Sequence, residues 1–194
     1  MKLKTLSAAM LMALAVTLPA QAAENYVIDT AKAHAFIEFR IKHLGFSWLL
    51  GRFNTFEGTF TYDEKNPVGN KVNIIIDVAS IDTNHAERDK HLRSPDFFDV
   101  AKYPKATFVS TGFTDKGNGQ GVLKGTLTLR GVTKEIAIDV RQIGAGKDPW
   151  GGFRRGFEGR TTLHLSDYNM KKGAMLGPAA ENVELFLSIE GIRQ

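Results

Sequence analysis

The sequence predicts an all-β fold, an antiparallel barrel of eight strands with one short helix, and two observations carry that prediction. The first is alternation. Val72, Ile74, Ile76 and Val78 fall on one face of an extended segment, with Lys71, Asn73, Ile75 and Asp77 on the other. The same pattern returns at Leu123-Leu127-Leu129, Ile136-Ile138-Val140 and Val183-Leu185-Leu187-Ile189. Strand side chains point to opposite faces in turn, so each segment offers one apolar face to a shared interior. With almost no helix to cover those faces, the sheet must close on itself or stack on a second sheet. The second observation is glycine placement. Gly45, Gly51, Gly58, Gly121, Gly125, Gly156 and Gly159 lie in or beside strands, where glycine commonly marks the bulges and bends of a small closed barrel. A sandwich shares the alternation; the glycines favour the barrel.

Residues 1–22 read as a leader. Lys2 and Lys4 precede an apolar run from Leu6 to Leu18, and Ala20-Gln21-Ala22 has the small-x-small form of a cleavage site. This is the pattern of a secretory signal peptide, and the run is shorter than the roughly 20 residues of a spanning helix. The expected mature chain, residues 23–194, fits one soluble domain.

Tyr26 to Asp29 offers a short leading strand. Eight strands follow at about 34–43, 51–62, 71–81, 105–113, 120–130, 133–143, 153–165 and 181–190. Asn66-Pro67-Val68-Gly69-Asn70, Asp115-Lys116-Gly117-Asn118-Gly119, Arg130-Gly131 and Gly144-Ala145-Gly146-Lys147-Asp148-Pro149 are turn sequences between them, and connections this short favour antiparallel neighbours. Asp82-Thr83-Asn84 supplies capping residues for a helix over His85 to Leu92, ended by Ser94-Pro95-Asp96. Asp167 to Asn182 reads as a long loop, a common place for function. Phe46-Ser47-Trp48-Leu49-Leu50 reads as an apolar loop, suited to a lid, a membrane-touching tip, a dimer contact or plain core packing.

Composition narrows the function. The formal charge of +4 drops to +2 without the leader's two lysines, too little to argue for nucleic acid. The chain has no cysteine, so thiol nucleophiles, thiol redox chemistry and Cys metal sites are excluded. There is no G-x-S-x-G elbow, Walker loop or dinucleotide fingerprint, and no nucleophile, base and orienter stand together. His85 and His91 are six residues apart and share no helix face as a metal pair would; no metal site is expected. His34 and His164 carry no companion signal, whereas His43 precedes an apolar patch and can donate to a ligand head group. Thirteen phenylalanines supply core packing. Gly58-Thr59, Gly125-Thr126 and Gly159-Arg160-Thr161 would leave space between them for a cavity.

Spaced signatures complete the reading. His43-Leu44-Gly45 leads into Gly51-Arg52-Phe53, and His91-Leu92-Arg93-Ser94-Pro95-Asp96-Phe97-Phe98-Asp99 is followed by Tyr103-Pro104 and Phe108. Gly125-Thr126-Leu127-Thr128-Leu129-Arg130-Gly131-Val132-Thr133-Lys134 completes the set. In this order they closely resemble the YceI-like family of secreted bacterial proteins, across the whole mature chain. The resemblance implies a lipocalin-like barrel with a long hydrophobic tunnel for polyisoprenoid or similar lipid chains, a homodimer and a periplasmic address. It carries over no catalytic residue and implies no cofactor beyond the bound lipid.

Inward strand positions then give the expected tunnel lining: Ile37, Phe39, Ile41, Phe56, Phe60, Ile74, Ile76, Phe108, Leu127, Ile138, Leu163 and Leu185, with His43 as the head-group candidate. The leading expectation is a periplasmic carrier or storage protein for a long isoprenoid lipid, touching the membrane at most transiently. The alternative is an enzyme acting on a lipid or quinone head group at the mouth, with His43, His91 and Asp96 as first candidates. A barrel filled by its own side chains, without lipid, is the third.

Overall fold

The computed structural model describes residues 23–32, 34–170 and 180–194. The expected leader and most of the loop expected after Asp167 therefore lie outside the described residues. Among the described residues no helix is long and apolar enough to cross a membrane.

Among the described residues, eleven strands build eight walls. Strands β1 (Glu24–Ile28) and β2 (Phe36–His43) form the first, running in succession along β11 (Asn182–Arg193), with Tyr26 opposite Arg193 and Ile37 opposite Leu187. The second wall is β3 (Ser47–Phe53) and β4 (Phe56–Tyr62), paired with β2 and β1 respectively. The third is β5 (Val72–Asp77) with β6 (Ile81–Asp82). Four long strands follow: β7 (Lys105–Gly117), β8 (Gln120–Leu129), β9 (Val132–Lys147) and β10 (Phe153–His164). Every pairing is antiparallel, and β10 on β11 closes the ring.

Two expected strands are thus interrupted. The stretch 51–62 breaks at Asn54-Thr55, and 71–81 turns through a short 3-10 segment at Val78–Ser80. The two breaks face each other. The Asn54 amide donates to the Ser80 carbonyl (3.2 Å), the Thr55 amide to Ser80 Oγ (3.0 Å) and the Asp77 amide to the Thr55 carbonyl (2.9 Å). Each backbone group lost from the ladder is satisfied locally, so adjacent walls bend together. Phe46 to Leu50 is not a loop: Ser47 onward is strand β3, joined to β2 by a tight turn. Strand β9 runs past its expected end because Gly144 and Gly146 pair with Gly156 and Arg154 instead of turning.

The helix α1 (Ala86–Arg93) is capped by His85, whose Nδ1 accepts from the Arg88 amide at 3.2 Å. The cap thus falls one residue beyond the expected Asp82-Thr83-Asn84. Instead, Asp82 accepts from the Asn84 amide (2.8 Å). Arg93 fastens the helix to the barrel by donating to the carbonyls of Ala79 and Ile81, both at 2.7 Å.

One half of the barrel is filled. Tyr26 stacks on Phe60 (4.7 Å between centroids), and Phe157 meets Phe60 edge-on at 5.6 Å. Phe56, Ile74, Phe108 and Ile138 are buried with them. Close approach needs glycine here: a Cβ on Gly125 would sit 2.4 Å from the Phe108 ring. The glycines expected to leave space are therefore covered by neighbouring side chains. Arg155 closes this end from inside, donating to Gln142 Oε1 (2.9 Å) and Glu24 Oε2 (3.3 Å) with its guanidinium 3.6 Å from the Tyr62 ring centre.

A second arginine ties the outside. Arg154 bonds Asp29 (2.7 Å), Asp148 (2.9 Å) and Glu190, and His34 Nδ1 lies 3.0 Å from Asp29. Burial by itself pushes the Asp29 carboxyl up, but hydrogen bonds from Arg154, His34 and the Lys32 amide outweigh it and hold it below its ordinary value. Glu24 is lowered in the same way: burial is outweighed by hydrogen bonds from Tyr26, Arg193 and Arg155. Depressed carboxyls stabilise the fold above their unfolded values, and that stabilisation is lost as pH falls through the folded ones. The thermal midpoint is therefore expected to hold from neutral pH to about 5 and to fall steeply below about 4. Calorimetry across that range checks it, and Asp29→Asn is expected to flatten part of the acid limb.

Candidate functional site

The other half of the barrel is hollow. Its cavity measures about 630 Å³, and its exposed lining residues, His43, Leu50 and His91, lie on the β2–β3 hairpin and α1. The volume lies within the usual range of ligand pockets, about 300–1,000 Å³. Alternation along β2 aims Ile37, Phe39 and Ile41 into it; from β5, β8, β10 and β11 come Ile76, Leu127, Leu163 and Leu185. Seven expected lining positions are thus brought together. Phe39 lies flat against the wall because β3 places Gly51 opposite it, where a Cβ would come within 2.3 Å of the ring.

The remaining five are placed elsewhere. Phe56, Phe60, Ile74, Phe108 and Ile138 point inward but belong to the filled half, and none lines the cavity. The expected long hydrophobic tunnel is represented in this structure by the cavity of about 630 Å³, bordered by seven of the twelve expected positions. The reason is side-chain size: in the filled half aromatic rings lie against glycines, Phe108 on Gly125 and Phe60 on Gly191.

Further lining residues lie outside the alternating strands and escaped the sequence reading. Leu92, Phe97 and Phe98 come from the helix and the turn after it, Leu165, Tyr168 and Met170 from the segment after β10. Phe98 meets Phe53 edge-on at 5.9 Å. The Phe97-Phe98 pair stood in a spaced signature, which was its only sequence signal.

Polar groups gather at the rim. His43, Thr83, Arg88, His91 and Asp96 all line the cavity. His91 Nε2 lies 3.4 Å from Asp96 Oδ2. The Thr83 hydroxyl donates to the buried Asp89 and accepts from Arg88 Nε (2.7 Å), while Arg88 Nη2 donates to the Thr83 carbonyl (2.6 Å). Thr83 is thereby engaged on both sides and is a brace for the helix, not an activated nucleophile. What this rim offers a ligand is hydrogen bonding, from two imidazoles and a guanidinium, at the end of an apolar chamber.

Tyr168 is the exception inside. It is 1% exposed, burial pushes its phenol up to about 12, and its hydroxyl finds no hydrogen-bond partner among the described residues. An unsatisfied buried hydroxyl costs about 1–3 kcal/mol. Tyr168→Phe is therefore expected to raise stability by about 1 kcal/mol in urea denaturation, with unchanged lipid content.

Comparison with known proteins agrees with this architecture. The sequence model of the YceI-like domain matches residues 26–191. A "UPF0312 protein" of Pseudomonas aeruginosa (strain LESB58) is 57% identical over 192 residues, covering 98% of each chain. Among solved structures, Burkholderia cenocepacia BcnA superposes with a TM-score of 0.75 at 23% identity, over 84% of this chain and 98% of its own. A polyisoprenoid binding domain from Saccharophagus degradans, implicated in plant cell wall breakdown, gives 0.62 at 18%, over 87% and 98%. A family match that spans the whole barrel, from β1 into β11, together with a relative more than half identical along its length, makes this chain a member of the YceI-like family.

Proposed function

We propose that this protein is a periplasmic carrier that sheathes the prenyl chain of a polyisoprenoid lipid, such as a quinone precursor, in its cavity. The observation that carries the proposal is the lining. Apolar side chains from seven of the eight walls surround a space of about 630 Å³, and its polar lining is confined to His43, Thr83, Arg88, His91, Asp96 and the Tyr168 phenol. At the roughly 30 Å³ of a water-sized group, that space takes on the order of 20 chain atoms. Burying them at roughly 0.8 kcal/mol each yields on the order of 15 kcal/mol, enough to match association costs of about 4–15 kcal/mol. The chain can thus be held with little help from a head group. A structural relative described as polyisoprenoid-binding supports the same ligand class.

Trp48 stands beside the mouth and supplies the test, because a quinone quenches indole fluorescence. Titrating delipidated protein with a prenylated benzoquinone should quench it saturably. The same quinone without its tail should not. Equal quenching by both would show that the head group, not the chain, is what the protein holds.

A further inference from the structure

The turn that joins β2 to β3 breaks a local rule. The Phe46 amide donates to the His43 carbonyl at 2.9 Å, and Leu44 and Gly45 both have positive φ, +53° and +83°. Such two-residue hairpin turns favour Asn-Gly or Asp-Gly, because a side chain other than Gly, Asn or Asp is strained in the left-handed region. Here a leucine takes the strained position and is 51% exposed. Phe46 beside it is 86% exposed, and Leu50 on the following strand 66%. Large apolar side chains stand in water where an asparagine would be better tolerated. An outlier of this kind points to a functional demand on the position.

Two features identify what covers the tip. The first is its neighbourhood. His43 and Leu49 line the cavity, and Leu50 both lines it and faces out, so the apolar tip is continuous with the cavity mouth. The second is charge. The Trp48 indole carries the Arg40 guanidinium at 4.2 Å and the Lys42 ammonium at 5.4 Å. Arg40 is paired with Glu184 (2.7 Å), whereas Lys42 has no carboxylate partner among the described residues. Apolar side chains lead, with an indole and a free cation behind them. That order matches the layers of a bilayer surface, acyl chains below and anionic phosphates above.

We infer that the β2–β3 tip docks the protein on an anionic phospholipid bilayer, with the cavity mouth against the membrane. The inference rests on the reading that the cavity takes a lipid chain. A chain insoluble in water leaves a bilayer most directly into a mouth that touches it. Leu44 and Phe46 enter the interface, Trp48 sits at the headgroup level, and Lys42 meets the phosphates.

The test is flotation of the mature, delipidated protein with vesicles of phosphatidylethanolamine and phosphatidylglycerol, beside the variant Leu44→Asn/Phe46→Ser. The wild type is expected to float, and the bound fraction of the variant to fall about tenfold through loss of inserted apolar surface. Its thermal midpoint should hold or rise, since asparagine relieves the turn. Equal flotation of both proteins, or a wild type that stays with the unbound fraction, would overturn the inference. So would a wild-type dimer that the variant dissociates without any vesicle binding, because a second copy would then cover the tip. Lipid content is measured separately. A loaded cavity without flotation overturns only the docking, and flotation by a protein that never takes up lipid overturns only the carrier reading.

Discussion

Ile76→Trp is expected to leave a folded barrel that carries about tenfold less lipid, because the chain loses buried volume and contact together. Ile76 lies opposite Phe56 on β4 and Ala106 on β7, and it lines the cavity together with Ala106. The small alanine leaves an indole only one direction to grow, into the hollow. Inserting bulk into a packed core costs about 1–3 kcal/mol, and the existing space should hold the cost near the lower figure. Lipid extracted per mole of protein reads the loading, and circular dichroism reads the fold. Unchanged lipid content in a folded variant would put the chain somewhere other than this cavity.

Phe60→Ala should do the reverse, with a large loss of stability and retained loading. The Phe60 ring is held between Tyr26 and Phe157, and it lies so close to Gly191 that a Cβ there would sit 2.4 Å away. A glycine has nothing to move into the vacated space, so the cavity left behind should persist. Truncations of this kind cost about 3–5 kcal/mol. Leu185→Ala, on the lining of the hollow half, is expected to cost below about 2 kcal/mol, since part of that side chain already faces empty space. Urea denaturation of both variants checks the contrast. Equal losses would mean that the two halves are equally filled.

That division into a filled and a hollow half marks where the sequence stopped being legible. Alternation along Val183-Leu185-Leu187-Ile189 and Leu123-Leu127-Leu129 identified inward faces, and the eight walls followed from it. Depth along the barrel did not, because alternation says which way a side chain points and nothing about what it meets. Phe108 fills space because the register brings its ring onto Gly125, while Ile76 borders a hollow because its partner is Ala106. Those pairings are set between strands distant in sequence.

Strand β3 was hidden for a related reason. Leu49 faces the cavity and its neighbours Trp48 and Leu50 are exposed, so both faces are apolar and the period vanishes. The rim was legible one residue at a time: His43, His91 and Asp96 were each singled out, but Arg88 became visible only once the helix was docked. Arg155 gave no signal, since a charged residue on an inward position contradicts the pattern that locates the core.

The measurement that tests the central claim most directly is native mass spectrometry of the protein as purified from cells, with organic extraction of whatever is bound. The account predicts a discrete added mass that extracts as a prenyl chain. A protein that runs at its bare mass, and that also fails to take up an added prenylated quinone, would contradict it.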